Sequence, residues 1–261
     1  MTTSTLAPTS VATMLRGNPA TRPEADTTTS ARLRASLEAA LAEASETVAL
    51  PVVVRASSLR DTIATLSASP LGRLRGLLVN SALRLIVNGV ALDDLALDSW
   101  RAWRSGVSDP RMSALFDDLD ADQRARLASD VRAHVHTLRT HLEAIPSSWR
   151  PRTGVRAHLI MAEGRLQLRD DVDLVLGLQH AATASVVLLD VTTAPLGTAA
   201  ERLLRYHALV HTLKTGVVPL RTALFSTATG ELWTRDVTVE MLDVAVADIV
   251  EFINARRWPH E

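Results

Sequence analysis

Two stretches of the chain place carboxylates at the end of an apolar run: Arg165 to Gly177 (RLQLRDDVDLVLG) and Ser185 to Pro195 (SVVLLDVTTAP). Alternate side chains of a strand share a face. Asp171 and Asp173 are therefore expected to point one way and Val172, Leu174 and Leu176 the other, with Asp170 a solvated turn residue. On the second stretch Val186, Leu188, Asp190 and Thr192 share a face. If the strands pair, Asp173 and Asp190 converge, and Asp171 could substitute for Asp173. Two convergent carboxylates are the usual protein contribution to a Mg²⁺ site, since this hard ion keeps several waters. Such an ion clamps a phosphodiester and activates water. The alternative is structural: each acid ends a strand or accepts hydrogen bonds from a neighbouring helix.

These strands need a frame. Residues 1–30 are rich in Thr, Ser, Pro and Ala and predict a mobile, disordered tail. From Ala31 the chain reads helical through ARLRASLEAALAEA, LGRLRGLLVNSALRLIV, Leu95 to Arg104 and about Ala121 to Glu143. After Pro151 the period changes to two. VRAHLIMA, a turn at Glu163-Gly164, RLQLRDDVDLVLG and ASVVLLDVTT predict three strands. A helix from about Thr198 to Thr215, a hairpin of PLRTALFST and ELWTRDVT, and a helix from about Val239 to Asn254 complete the chain. The expected fold class is α/β, a single domain over 31–261: a helical part over 31–150 wrapped on a sheet core with two helices over 151–261.

The 261 residues are 47 % hydrophobic and carry a formal net charge of −1. The charge excludes a protein coated in basic side chains, so any nucleic-acid contact must come from a local arginine cluster. With no cysteine, disulfides, Cys-ligated zinc and iron–sulfur clusters are excluded. The absence of a membrane-length apolar run and of a signal-peptide pattern predicts no membrane and a cytoplasmic location. No P-loop, G-x-G-x-x-G or G-x-S-x-G is present.

The order of these motifs resembles the PD-(D/E)XK nuclease superfamily, and most closely its RecB-like branch, over roughly residues 52–253. In that family an Asp lies in one strand, a second acid and a Lys stand two apart on the next, and a helix packs behind. The resemblance implies a restriction-endonuclease-like core, metal-binding Asp173 and Asp190, and a Mg²⁺ or Mn²⁺ cofactor if the site functions. It also implies DNA, and a helicase or other protein, as partners, in DNA repair or defence. The departures are specific. Thr192 stands at the catalytic Lys position, and a neutral hydroxyl cannot stabilise charge on phosphate as an ammonium does. Asn80 stands where the branch often has a helical His, Leu203 and His207 replace Q-x-x-x-Y with Tyr206 one residue early, and Ser69-Pro70 stands for Cys-Pro. The resemblance therefore implies a catalytically impaired pseudo-nuclease. An active Mg²⁺-dependent deoxyribonuclease with a relocated or partner-supplied base, and a structural or oligomerising protein without nucleic-acid contact, are the alternatives.

Lys214 is the only lysine among the 28 Lys and Arg residues. It is either a migrated catalytic amine or a cation favoured by a helix C-terminus. Arg202, Arg205 and Arg221 are the candidate DNA contacts. His207 and His211, four apart on one helical face, lack a third zinc ligand and are expected to be partly buried. His134, His136 and His141 are expected at the surface, and Trp100 and Trp103 in the core or an interface.

Overall fold

The computed structural model describes residues 11–17, 23–44, 50–60, 69–106, 109–142, 145–178, 183–197 and 199–256. The protein is α/β, a mixed central sheet with helices on both faces. In chain order the elements are α1 (Val11–Arg16), α2 (Thr29–Ala44), β1 (Val52–Arg55), α3 (Ala56–Arg60), α4 (Pro70–Val87), α5 (Leu95–Ser105), α6 (Pro110–Asp117), α7 (Ala121–Leu142), β2 (Arg152–Met161), β3 (Leu166–Leu176), β4 (Val187–Thr192), α8 (Ala199–Thr215), β5 (Arg221–Ser226), β6 (Leu232–Asp236) and α9 (Val239–Asn254).

Local chemistry starts the helices of the first half. Ser69 caps α4 by accepting from the Gly72 amide at 3.1 Å, with Pro70 in the first turn. Ser69-Pro70 thus serves as a helix start. Asp94 and Asp109 cap α5 and α6 in the same way. Asp120 and Gln123 exchange bonds of 2.7 and 3.0 Å at the head of α7, a reciprocal capping box. Trp103 is buried, and Trp100 stacks on Phe116 at 3.6 Å. The two tryptophans belong to the helical core.

The sheet is organised around β3. β2 runs antiparallel along nearly all of it, from Arg152↔Val175 to Met161↔Leu166. The other edge is shared by two strands. β1 pairs parallel with residues 166–169, and β4 pairs antiparallel with residues 174–176. Residues 170–173 therefore sit at a fork between β1 and β4. β5 continues parallel to β4 after the α8 crossover, and β6 closes a hairpin with β5. The sheet expected within residues 151–261 thus gains β1 from the helical half, a run too short for periodicity to reveal.

Along β3 the alternation changes phase. Leu166 and Leu168 are buried with α2, α8 and α9, whereas Leu174 and Leu176 are buried with α4 and α7. Val172 and Val175, three apart, share one small cluster with Val186 and Leu188. The change falls at Asp173, opposite Gly154, whose φ of +60° suits glycine.

The expected mobile tail is corrected for the residues described. Val11 and Leu15 of α1 are buried against α7 and the sheet. Farther along, the Ala184 amide donates to the Pro23 carbonyl at 2.9 Å and the Val218 amide to the Asp26 carbonyl at 3.1 Å. Two apolar side chains, a valine and a leucine, and a few backbone bonds suffice to dock a segment whose average composition is polar. Residues 1–10 and 18–22 lie outside the described residues. Among the described residues no helix is long and apolar enough to cross a membrane.

Candidate carboxylate–histidine site at the sheet fork

Asp173 and Asp190 do converge. The amide of Asp173 donates to Asp190 Oδ1 at 3.2 Å, and the amide of Val191 donates to Asp173 Oδ2 at 2.9 Å. On the α4 side, Asn80 Nδ2 donates to Asp173 Oδ1 at 2.7 Å. A helix residue thus reaches the carboxylate of the strand acid. Desolvation, then the charge of Asp190, holds the Asp173 carboxyl well above the usual carboxylate range, against the opposing pull of the Val191 amide, His207 and Arg84.

The phase change at Asp173 reverses the expected places of its neighbours. Asp170, expected in solvent, is buried under α8, while Asp171 is exposed and pairs with Arg156 at 3.1 Å. His207, one side chain of α8, bridges two acids. Its Nδ1 lies 2.8 and 2.9 Å from the two Asp170 oxygens and its Nε2 lies 3.1 Å from Asp190 Oδ2. Burial opposes a charge on His207, but Asp170 and Asp190 outweigh it and raise its pKa well above the ordinary value. A histidinium donates through both nitrogens, which this geometry requires. Neighbouring Tyr206 places its hydroxyl 3.0 Å from the carbonyls of both Val54 and Arg169, tying α8 to the point where β1 leaves β3.

His211, one turn on, has the opposite environment. It is buried, its Nε2 has no partner among the described residues, and burial, with Arg152 and Lys214 nearby, lowers its pKa to about 4. It is a neutral imidazole. His134 is half-buried with Nδ1 2.9 Å from Thr227 Oγ1, rather than free at the surface.

Other expected residues stand apart. Thr192 Oγ1 accepts from the Ala194 amide at 3.2 Å and its carbonyl accepts from the Thr227 amide, so it builds the turn after β4. Lys214 donates to the Arg156 carbonyl at 2.6 Å, two turns along α8 from His207. Arg202 and Arg205 face α9, where both pair with the half-buried Asp248 at 3.1 Å. Arg221 is held by Asp236 and the Met14 carbonyl. None of these four basic residues lines the cleft at the fork. That cleft, of ≈ 540 Å³, is lined by Arg55, Arg156, Arg169, Asp171, Asp190 and His207, among others.

A hydrated divalent ion does not fit this arrangement. Such an ion needs ionised oxygens free to turn toward it. The six oxygens of Asp170, Asp173 and Asp190 each already lie within hydrogen-bond distance of a protein nitrogen. The place between Asp170 and Asp190 is taken by the His207 ring, whose pKa both acids raise. Among the described residues no group of three or more His, Cys, Asp or Glu side chains is placed to hold a metal.

No family model matches the chain, and no curated protein matches it. Among solved structures, SSO0001 is similar at a TM-score of 0.34 and 10 % identity, covering 85 % of this chain and 87 % of that chain. A likeness of that extent carries no argument about this protein.

Proposed function

We propose that this protein is a nuclease-fold protein of PD-(D/E)XK, RecB-like type whose metal centre has been replaced by an internal ion cluster, leaving a pseudo-nuclease that acts by binding DNA or a protein partner. The observation that carries the reading is His207 between Asp170 and Asp190. An imidazolium supplies the charge that two strand acids need, and it has no vacant coordination position for phosphate or water. Thr192 in place of an amine points the same way, since transition-state charge on phosphate has no stabilising cation there. Support for the nuclease-type core comes from the antiparallel β2–β3–β4 meander, the α8 crossover and the two acids at the fork.

The test is cleavage of linear single- and double-stranded DNA with Mg²⁺ and with Mn²⁺. The wild-type protein is expected to leave both uncut. Cleavage by the wild type that disappears in Asp190→Ala would overturn the reading in favour of an active metal-dependent deoxyribonuclease.

A further inference from the structure

The side of the sheet turned away from α8 is covered by α4 and α7 over the C-terminal half of β3, but among the described residues it is open over its N-terminal half. There Val52, Val54, Leu166, Leu168, Leu159 and Met161 face the core. The side chains between them face out: Arg55 on β1, Arg169 on β3, Arg156 and His158 on β2, all exposed. Register aligns three of them in one row, with Arg156 opposite Asp171, one step nearer the fork. Arg55 is the direct partner of Arg169 in the parallel pair, and His158 is the direct partner of Arg169 on the other edge. Like charges directly opposite are destabilising in a sheet. Among the described residues neither Arg55 nor Arg169 makes an ion pair. Arg169 Nη2 donates to Gln167 Oε1 at 3.0 Å, a neutral contact. The acids in the same cleft are already engaged, Asp171 by Arg156 and Asp190 by His207.

We propose that this arginine row binds the phosphate backbone of a single nucleic-acid strand that runs across β1, β3 and β2 and into the fork; the inference rests on the nuclease-fold reading and deepens it. Arg55 and Arg169, a direct pair without a carboxylate, take adjacent phosphates, and Arg156 takes a third by exchanging Asp171 for it. Guanidinium groups suit phosphate oxygens because their planar fork donates two parallel bonds. A cleft of ≈ 540 Å³ has the capacity of a small-ligand pocket and not of a duplex groove, which selects a single strand. Such contacts position a strand without reading its bases, so binding is sequence-independent and salt-dependent.

The experiment measures anisotropy of fluorescein-labelled oligothymidylate on the full chain over a range of salt. Arg55→Gln with Arg169→Gln is expected to weaken binding about tenfold or more and to lower the slope of log affinity against log salt by about 1.4, or ~0.7 per lost phosphate contact. Arg156→Gln is expected to weaken it by a smaller factor. An equal loss of charge on the helical half, Arg111→Gln with Arg126→Gln, leaves affinity within about twofold. The melting temperature of Arg169→Gln is expected to equal or exceed that of the wild type, because a like-charge pair is relieved. Unchanged affinity in the double variant, equal weakening by the helical control, or tighter binding of a duplex than of the strand would overturn the proposal and leave the pseudo-nuclease reading standing. Metal-dependent cleavage overturns that reading and leaves the arginine row.

Discussion

Asp173 and Asp190 are joined through each other's strand: the amide of Asp173 holds one oxygen of Asp190, and the amide beside Asp190 holds one oxygen of Asp173. Reciprocal backbone bonds fix both acids across the fork without a metal. Two consequences for stability follow from the charges so confined.

At Asp173 the ionised form is disfavoured by desolvation and by Asp190. A carboxyl whose folded pKa is raised binds more protons folded than unfolded, so its contribution falls as pH rises from about 3.9 through the folded value. Asp173→Asn removes that penalty and keeps the shape. The new amide oxygen can still accept from Val191, and Asn80 can turn its own amide oxygen toward the new NH₂. At neutral pH the variant is expected to be more stable by roughly 0.5–2 kcal/mol, as found where functional strain is relieved. Urea titration measures it, and a destabilised variant would show that the carboxylate is held as an anion.

His207 titrates in a window set by a raised pKa. Its stabilising contribution is complete below the unfolded value of about 6.5 and is lost as pH rises through the folded value. His207→Gln leaves Asp170 and Asp190 facing one neutral amide and is expected to cost about 3–5 kcal/mol at pH 6. The gap to the wild type narrows toward alkaline pH. A gap that stays constant with pH would mean that the imidazole is neutral.

The sign is reversed one turn along. His211, lowered to about 4, is neutral when folded and takes up a proton on unfolding, so it draws stability away as pH falls from about 6.5 to about 4. In His211→Leu that part of the acid sensitivity, on the order of 3 kcal/mol, is expected to disappear. Chemical denaturation at several pH values reports it as a flatter acid limb, and parallel limbs for the two proteins would refute it.

Leu15 is fully buried against the α7 face. Leu15→Ala is expected to lower stability by about 2–5 kcal/mol, the range for a core leucine. Equal denaturation midpoints would show that α1 undocks freely.

Most of the second half was legible in the sequence. The helix Val239–Asn254 matches the expected limits, and the strands fall where period two appears. Regular patterning over many residues is a strong local signal. What stayed hidden depends on single residues or on partners distant in sequence. β1 is four residues long, and α6 is eight residues long with no buried residue to set a clear apolar stripe. At the site, Asp173 and Asp190 were found because their strands are adjacent, but Asp170 and His207 were missed. Reading Asp170 as a turn residue places it in solvent, although alternation puts it on the face of Val172, and His207 has no visible partner once Asp170 is placed there. Gly154 was the available clue, since an isolated glycine in a strand pattern marks local distortion. The expected arginines lie away from the cleft for a related reason. Arg202 and Arg205 lie near the acids in sequence, yet their charge is consumed by Asp248, while Arg55 and Arg169 meet only through a parallel pairing of distant segments.

The glycine opposite Asp173 also determines how a mutational scan of β3 would read. On the Leu166 side, even-numbered Leu166 and Leu168 face α8 and α9 and reject charge, and even-numbered Asp170, bound to His207, rejects a cation, while odd-numbered Gln167, Arg169 and Asp171 accept one. Past Asp173 both parities are closed, even-numbered Leu174 and Leu176 by α4 and α7, and odd-numbered Val175 within its cluster with Val186 and Leu188. A lysine scan along the strand should therefore alternate between tolerated and rejected substitutions up to Asp171, then be rejected without alternation. The tolerance profile would mark the fork from growth or solubility data alone, without a structure.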